Sequence, residues 1–542
     1  MFQAPSALLI LAALLPQATP QTTASPLHQD IDRLIAAGYP DYAAQAAPDA
    51  SDAEFLRRVT LDLTGTIPTI ADTRAFLDDR SPGKRGRVID TLLASPAYAR
   101  RMAQFLDVML MERRPDSKVA RADWENYLRE AMAANRPYDQ LVREILAADG
   151  TDPKRRAPAK FYLDRDMEPN LVTRDIARLF LGQNLTCAQC HDHPVVEDYK
   201  QADYYGILAF INRSSLFPNA QDPKAVLAEK ADGEVSFSSV FDHSKKTHGT
   251  LPRLPGAHPV TEPQLKKGKE YLRAPTKTTA GIPVYSRRAE LAKRLPSPET
   301  PQFARNAVNR LWAMMMGRGL VHPLDLDHSE NPPSHPELLD RLATEFTQHG
   351  YDIRWLLREI ALSKTYQRSS EIPANLSELP EDRYLVAQLK PLTPEQFAYA
   401  VLQASGLTDV QRAALGAKYT EAALDARLAG NVNSLKNVFI NQPGEPDDSF
   451  VVTLDQTLFL KHGTVIRSLL TPTGNNLTGR LLKRSSPDEV VEELFLGILT
   501  RMPTPEEREL VKESLQSSGD RKTTLAEIAW ALIASSEFRF NH

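Results

Sequence analysis

Residues 174–213 read RDIARLFLGQNLTCAQCHDHPVVEDYKQADYYGILAFINR. Apolar residues recur at helical spacing through Ile176, Leu179 and Phe180. A helix is therefore predicted over residues 175–185, leading straight into Cys187. Pro194 disfavours helix at His193, which places the helix end near His191. Residues 203–212 (DYYGILAFIN) read as a second apolar helix or buried segment, whose aromatic residues serve equally as core or as the wall of a cofactor site.

Between these two segments lie Cys187 and Cys190, the only cysteines of the 542-residue chain, with His191 directly after them. Cys-x-x-Cys-His is the form of a c-type haem attachment site. The two thiols add across the two vinyl groups of one haem. Two intervening residues let a single turn of backbone present both, and the adjacent imidazole serves as proximal iron ligand. On a helix, positions 187, 190 and 191 share one face.

The same residues admit other chemistry. A Cys-x-x-Cys pair forms a redox-active or structural disulfide without any histidine. The thiols also bind zinc with His191, His193 or a distant histidine. If haem is attached, candidates for a sixth ligand are His322, His328 and His335, together with Met314, Met315 and Met316. A methionine run on an apolar helix also reads as core. In a rival arrangement, His191, His193, His322 and His335 gather with Asp192, Asp325 or Asp327 around zinc or iron. That site would hydrolyse an ester or glycan through a metal-bound water. The chain contains neither HExxH nor Gly-x-Ser-x-Gly. The third reading is a non-enzymatic envelope scaffold with a Cys187–Cys190 disulfide, although so small a loop adds little stability.

The rest of the chain extends the helical pattern. Residues 27–38, 51–63, 70–77, 86–93, 95–111, 124–135 and 138–148 read as helices, with Ser51 or Asp52, Thr69 and Ser95 as caps. Residues 216–285 are rich in Pro, Gly and Thr and contain one alternating stretch, VSFSSVF at 235–241. Helix returns at 287–294, 301–317, 336–349, 351–363, 394–405, 449–470, 488–499 and 505–517. The fold class that follows is mainly α: two helical domains, residues 26–215 and 286–542, joined by a loop-rich connector at 216–285 with a few short strands.

Composition bounds the function. A net charge of −4 with mixed signs argues against a partner bound by phosphate neutralisation, so no nucleic acid is expected. Residues 7–15 (ALLILAALL), followed by Pro16 and small residues, have the form of a secretory h-region with a cleavage zone at Ala18 or Ala24. Residues 1–25 are therefore expected to be a signal peptide, and the mature chain to be exported to the periplasm or cell envelope. In bacteria, haem attachment takes place on that side of the inner membrane. The apolar run is too short to span a bilayer, and no transmembrane segment is expected in the mature chain.

Four stretches carry a resemblance to a known family: FLRRVTLDLTGTIPT (55–69), IDTLLASPAYARR (89–101), the cysteine stretch from Arg178 to Arg213, and FARNAVNRLWAMMMGRGLVHPLDLDHSENPPSHPELLDRLATEF (303–346). The chain resembles the planctomycete cytochrome-like proteins, in which a PSCyt-type domain precedes a PSD-type domain. The resemblance implies an exported, mostly helical protein of cytochrome-like nature and otherwise undefined role. Joined to the Cys-x-x-Cys-His reading, it gives an expected haem c on Cys187, Cys190 and His191. The expected role is electron transfer or oxidation in the envelope, with a redox partner protein there.

Overall fold

The computed structural model describes residues 25–219, 221–244, 246–374, 376, 378–444 and 453–542. The signal-peptide reading for residues 1–25 thus falls almost wholly outside the described residues.

The N-terminal helices that matter for the site are α1 (Leu27–Ala37), α2 (Asp52–Thr64) and α3 (Pro96–Met111). Next come α4 (Pro169–Leu181) and α5 (Gln201–Ile211), one on each side of the cysteines. The predicted caps form: Ser51 accepts from the Glu54 amide and Ser95 from the Tyr98 amide, with Pro96 at the first helical position. Three antiparallel hairpins fill the segment read as a connector. They are β1–β2 (Ser214–Phe217, Val226–Glu229), β3–β4 (Val235–Phe237, His248–Thr250) and β5–β6 (Tyr271–Arg273, Ile282–Pro283). Helices α6 (Pro301–Met316), α7 (Pro336–Gln348) and α8 (Ile353–Leu362) follow. The last principal helices are α9 (Pro394–Ala404), α10 (Glu421–Lys436), α11 (Pro487–Ile498) and α12 (Arg521–Ala534). Strand β7 (Lys390–Pro391) pairs with β8 (Phe540–Asn541), which returns the C-terminus to the middle of the molecule. The architecture is mainly α.

The apolar cores divide the chain at a different place from its composition. One core gathers buried residues from Leu27 to Val386, so α6, α7 and α8 pack with the N-terminal helices across the hairpin segment. The second core runs from Leu392 to Phe538. The cores part between Val386 and Leu392, after the hairpin segment and not at it. Composition registers turns and loops, whereas the extent of a core depends on which helix faces meet. The helix expected over 449–470 is also divided. Leu454–His462 and Thr464–Leu470 meet at Gly463, and residues 449–452 lie outside the described part.

Helix α2 belongs to both cores. Phe55, Leu56, Val59 and Leu63 enter the first, and Leu61 enters the second. Every residue from Phe55 to Thr64 is buried, including Arg57, Arg58 and Asp62. Burying a charge is costly unless it is partnered. Arg57 donates to the Ile498 and Phe538 carbonyls, and Arg58 to the Tyr366 and Arg368 carbonyls and to Glu54. Asp62 accepts from Lys390 Nζ, Tyr366 Oη and Asn541 Nδ2, each within 2.8 Å. The polar side chains of α2 thus tie elements from both cores to one helix.

Candidate functional site

The cysteines lie in a loop, not on the end of a helix as expected. Helix α4 stops at Leu181 because Gly182 takes φ 71°, the left-handed conformation that glycine enters without a Cβ clash. Gln183 forms a single antiparallel bridge with Leu326, and the Asn184 amide donates to the Asp325 carbonyl at 2.9 Å. Cys187–Gln189 then make one tight 3₁₀ turn, closed by the Cys190 amide on the Cys187 carbonyl at 3.2 Å. Both cysteines are exposed, and neither is in a disulfide.

Two flanks hold this turn. On one side, Asp192 accepts from the Gln201 amide at 2.7 Å at the start of α5, and Tyr205 donates to the Gln189 carbonyl at 3.0 Å. The Val240 amide donates to the Cys190 carbonyl at 3.0 Å, and Tyr205 stacks on Phe237 of β3 at 4.7 Å. Burial, with Cys190 adding to it, pushes the Tyr205 phenol up. On the other side lies the polar loop between α6 and α7. The Asp327 amide donates to the Gly182 carbonyl at 2.9 Å, Tyr199 Oη to the Asp327 carbonyl at 3.3 Å, and the His328 ring meets Tyr199 edge to face at 5.2 Å.

The two histidines of the loop carry opposite tautomers. His191 Nδ1 lies 2.6 Å from the Asp192 carbonyl. A carbonyl only accepts, so in the neutral ring Nδ1 holds the proton and Nε2 the lone pair. His193 Nδ1 instead accepts from the Val195 and Val196 amides, at 3.2 and 2.9 Å. Its lone pair is spent on the turn. His191 also packs against Phe241, with ring centroids 4.7 Å apart. Around it Val195, Val240 and Phe241 are 70%, 63% and 68% exposed, an unusual solvent-facing apolar group beside two thiols.

The metal site expected from His191, His193, His322 and His335 does not assemble. Among the described residues no group of three or more His, Cys, Asp or Glu side chains is placed to hold a metal ion. His193 is committed to its turn. His335 is buried where α1 ends, between Tyr39 and Tyr384 at 5.4 and 5.8 Å, and burial lowers its pKa. His322 lines a cavity beside α6. The reason is geometric: the loop carrying His322 and His335 is long enough to place its two ends against different helices. Met315 and Met316 are core residues, 1% and 5% exposed.

That cavity, of about 350 Å³, is the second candidate. It opens between the two cores, where α3, α4 and α6 face β7 and the start of α9. Its wall is apolar at Phe105, Val108, Met314 and Leu392, and is otherwise laced by ion pairs. Arg178 contacts Glu112 at 2.6 Å and Asp325 at 3.2 Å, and Arg310 also pairs with Asp325. Arg113 holds Glu395 through two bonds, at 2.7 and 3.2 Å. Burial would raise the Glu395 carboxyl, but Arg113 outweighs it and holds the group below the usual carboxylate range. Burial pulls the Lys390 ammonium below its ordinary value despite Asp62 beside it. Reasoning from sequence overlooked this cavity, because its charged residues come from five separate segments. One signal was available: Arg100-Arg101 interrupts the apolar pattern of a helix that is otherwise core.

Among the described residues, no helix is long and apolar enough to cross a membrane. Residues 30–215 match the family model PSCyt2, described as a protein of unknown function (DUF1549). Residues 287–438 match PSD1, also described as a protein of unknown function (DUF1553). No curated protein and no solved structure matches the chain. The two matches fall in the order expected from the sequence, cover the cysteine loop and most of the cavity wall, and together span more than half of the chain. The chain belongs to the PSCyt2–PSD1 proteins, a family of unknown function.

Proposed function

We propose that this protein is an exported c-type cytochrome that exchanges electrons with a redox partner protein in the cell envelope. Cys187 and Cys190 would hold the haem by thioether bonds, and His191 Nε2 would be the proximal iron ligand. The observation that carries the reading is the contact of His191 Nδ1 with the Asp192 carbonyl. With Nδ1 donating to the Asp192 carbonyl at 2.6 Å, Nε2 is left as a ready electron-pair donor. The residues also fit in other respects: both thiols are exposed and free, and exposed Val195, Val240 and Phe241 offer an apolar surface beside them.

When bound, haem supplies one-electron chemistry between ferric and ferrous iron. The chain's own part is to orient the imidazole through the Asp192 carbonyl and to anchor the turn through the Gln201, Tyr205 and Val240 bonds. The cysteine turn sits on the surface rather than inside an enclosed pocket. Electron exchange with a docked protein suits that exposure better than oxidation of a bound substrate.

The test is an absorption spectrum and an intact mass of protein made in a periplasm equipped with haem-attachment machinery. The expected result is a Soret band and a mass gain of one haem, both lost in Cys187→Ala/Cys190→Ala. His191→Ala should keep the added mass but shift the Soret band, because the proximal ligand is lost. Protein that carries no haem under these conditions, with its two thiols free or joined as a disulfide, overturns the reading.

A further inference from the structure

One buried cation of the cavity has no counter-ion of its own among the described residues. Arg101 of α3 is 5% exposed and lines the cavity. Among the described residues its side chain makes no hydrogen bond and no ion pair, and its Nε is fully buried without a partner. The nearest acidic groups are already engaged. Asp62 receives Lys390, Tyr366 and Asn541, and Glu395 receives Arg113. The other cations of the wall are also paired: Arg178 and Arg310 with Asp325, and Arg318 with Glu381. The described wall is thus left with one uncompensated positive charge.

The chain makes room for this side chain. Gly65, at the end of α2, has φ 74°, and a Cβ there would lie 3.0 Å from Arg101 Cδ. The arginine stem therefore packs directly on glycine backbone. Burial disfavours the charged guanidinium, against the pull of Asp62 and Glu395. An unpaired buried charge is among the most costly features a protein carries, and a methionine of similar length would fill the same space without that cost. Arginine at such a position is explained when something else supplies the anion.

We propose that the cavity binds a small organic monocarboxylate, with Arg101 as its anchor. A guanidinium presents two parallel donors that match a carboxylate. One unpaired charge matches a monoanion rather than a phosphate dianion. Phe105, Val108, Met314 and Leu392 supply an apolar wall for an apolar body, and about 350 Å³ lies within the range of small-molecule sites. This site is separate from the cysteine turn and does not depend on haem.

The experiment uses the full chain and Arg101→Met, each followed by thermal unfolding with and without hexanoate, phenylacetate, hexanamide or inorganic phosphate at 10 mM. Without ligand, Arg101→Met is expected to unfold at a higher temperature than the wild type, because it removes an unpaired buried charge. Hexanoate or phenylacetate should raise the wild-type midpoint, and calorimetric titration should give at least tenfold weaker binding of the better one to Arg101→Met and of hexanamide to the wild type. A lower midpoint for ligand-free Arg101→Met would make Arg101 a structural residue and overturn the proposal. So would stabilisation by phosphate but not by the carboxylates, equal binding of acid and amide, or no response of the wild type to either carboxylate.

Discussion

The Arg101 cavity touches the last turn of α4 at Arg178 and Leu179, and the cysteine turn lies in the loop just after it, yet the two are built in opposite ways. The turn is a local object. Cys187, Cys190 and His191 are neighbours in sequence, the two cysteines exposed and His191 half-buried, and the turn is held by hydrogen bonds at Gln189, Cys190 and Asp192. The cavity is a long-range object. Asp62, Arg101, Arg178, Arg310, Lys390 and Asn541 meet only after both cores have formed. A surface turn can change its side chains at little cost to the fold. A buried charge lattice cannot, because each group is the solvation of another.

Substitutions can break or sharpen that contrast. The largest effect is expected at Asp62. Asp62→Ala leaves Lys390 buried without its carboxylate and should cost about 3–5 kcal/mol, read as a lower urea midpoint. A loss below about 1 kcal/mol would show that the lattice is not what joins the cores. Next comes Glu395→Gln, which should cost about 2 kcal/mol at pH 7 by weakening the paired bonds from Arg113. Its pH dependence has a definite sign. Glu395 is held below the ordinary carboxylate pKa, so its contribution is fully present at neutral pH and disappears as the pH falls through the folded value. The gap between wild type and Glu395→Gln should therefore close below about pH 4. A gap constant from pH 7 to pH 3 would contradict the assignment.

Gly65→Ala should cost about 1–2 kcal/mol, since φ 74° and the close approach of Arg101 both oppose a side chain. Combining it with Arg101→Met should recover part of that loss. No recovery would mean that the backbone conformation alone sets the cost. The smallest effect is expected at the turn itself. In haem-free protein, Cys187→Ala/Cys190→Ala should change stability by less than about 0.5 kcal/mol, because both side chains are exposed. A larger loss would give the thiols a structural role and erase the contrast between the two regions.

The helical class, the caps at Ser51 and Ser95, the short strands after residue 213 and the cysteine motif were all legible in the sequence, because each is written within a few consecutive residues. The tautomers of His191 and His193 were not legible. They depend on which carbonyl or amide the folded turn brings to each ring. Nor was the dispersal of the histidines, since His322 and His335 are only 13 positions apart yet end against different helices. The break of α4 at Gly182 could have been read from the glycine, but the apolar pattern runs on to Leu185 and masks it.

By itself the sequence determined the local features: where helices begin, where the chain turns, and where Cys187, Cys190 and His191 stand together. Periodicity and capping act over single turns of backbone, so one strand of text contains them. Only the tertiary structure decided where the cores part, how α2 serves both of them, and that Arg101 faces a cavity with no counter-ion of its own among the described residues. Those outcomes depend on desolvation and on pairing between groups hundreds of residues apart, and the energy of a buried charge is defined only when all its neighbours are in place.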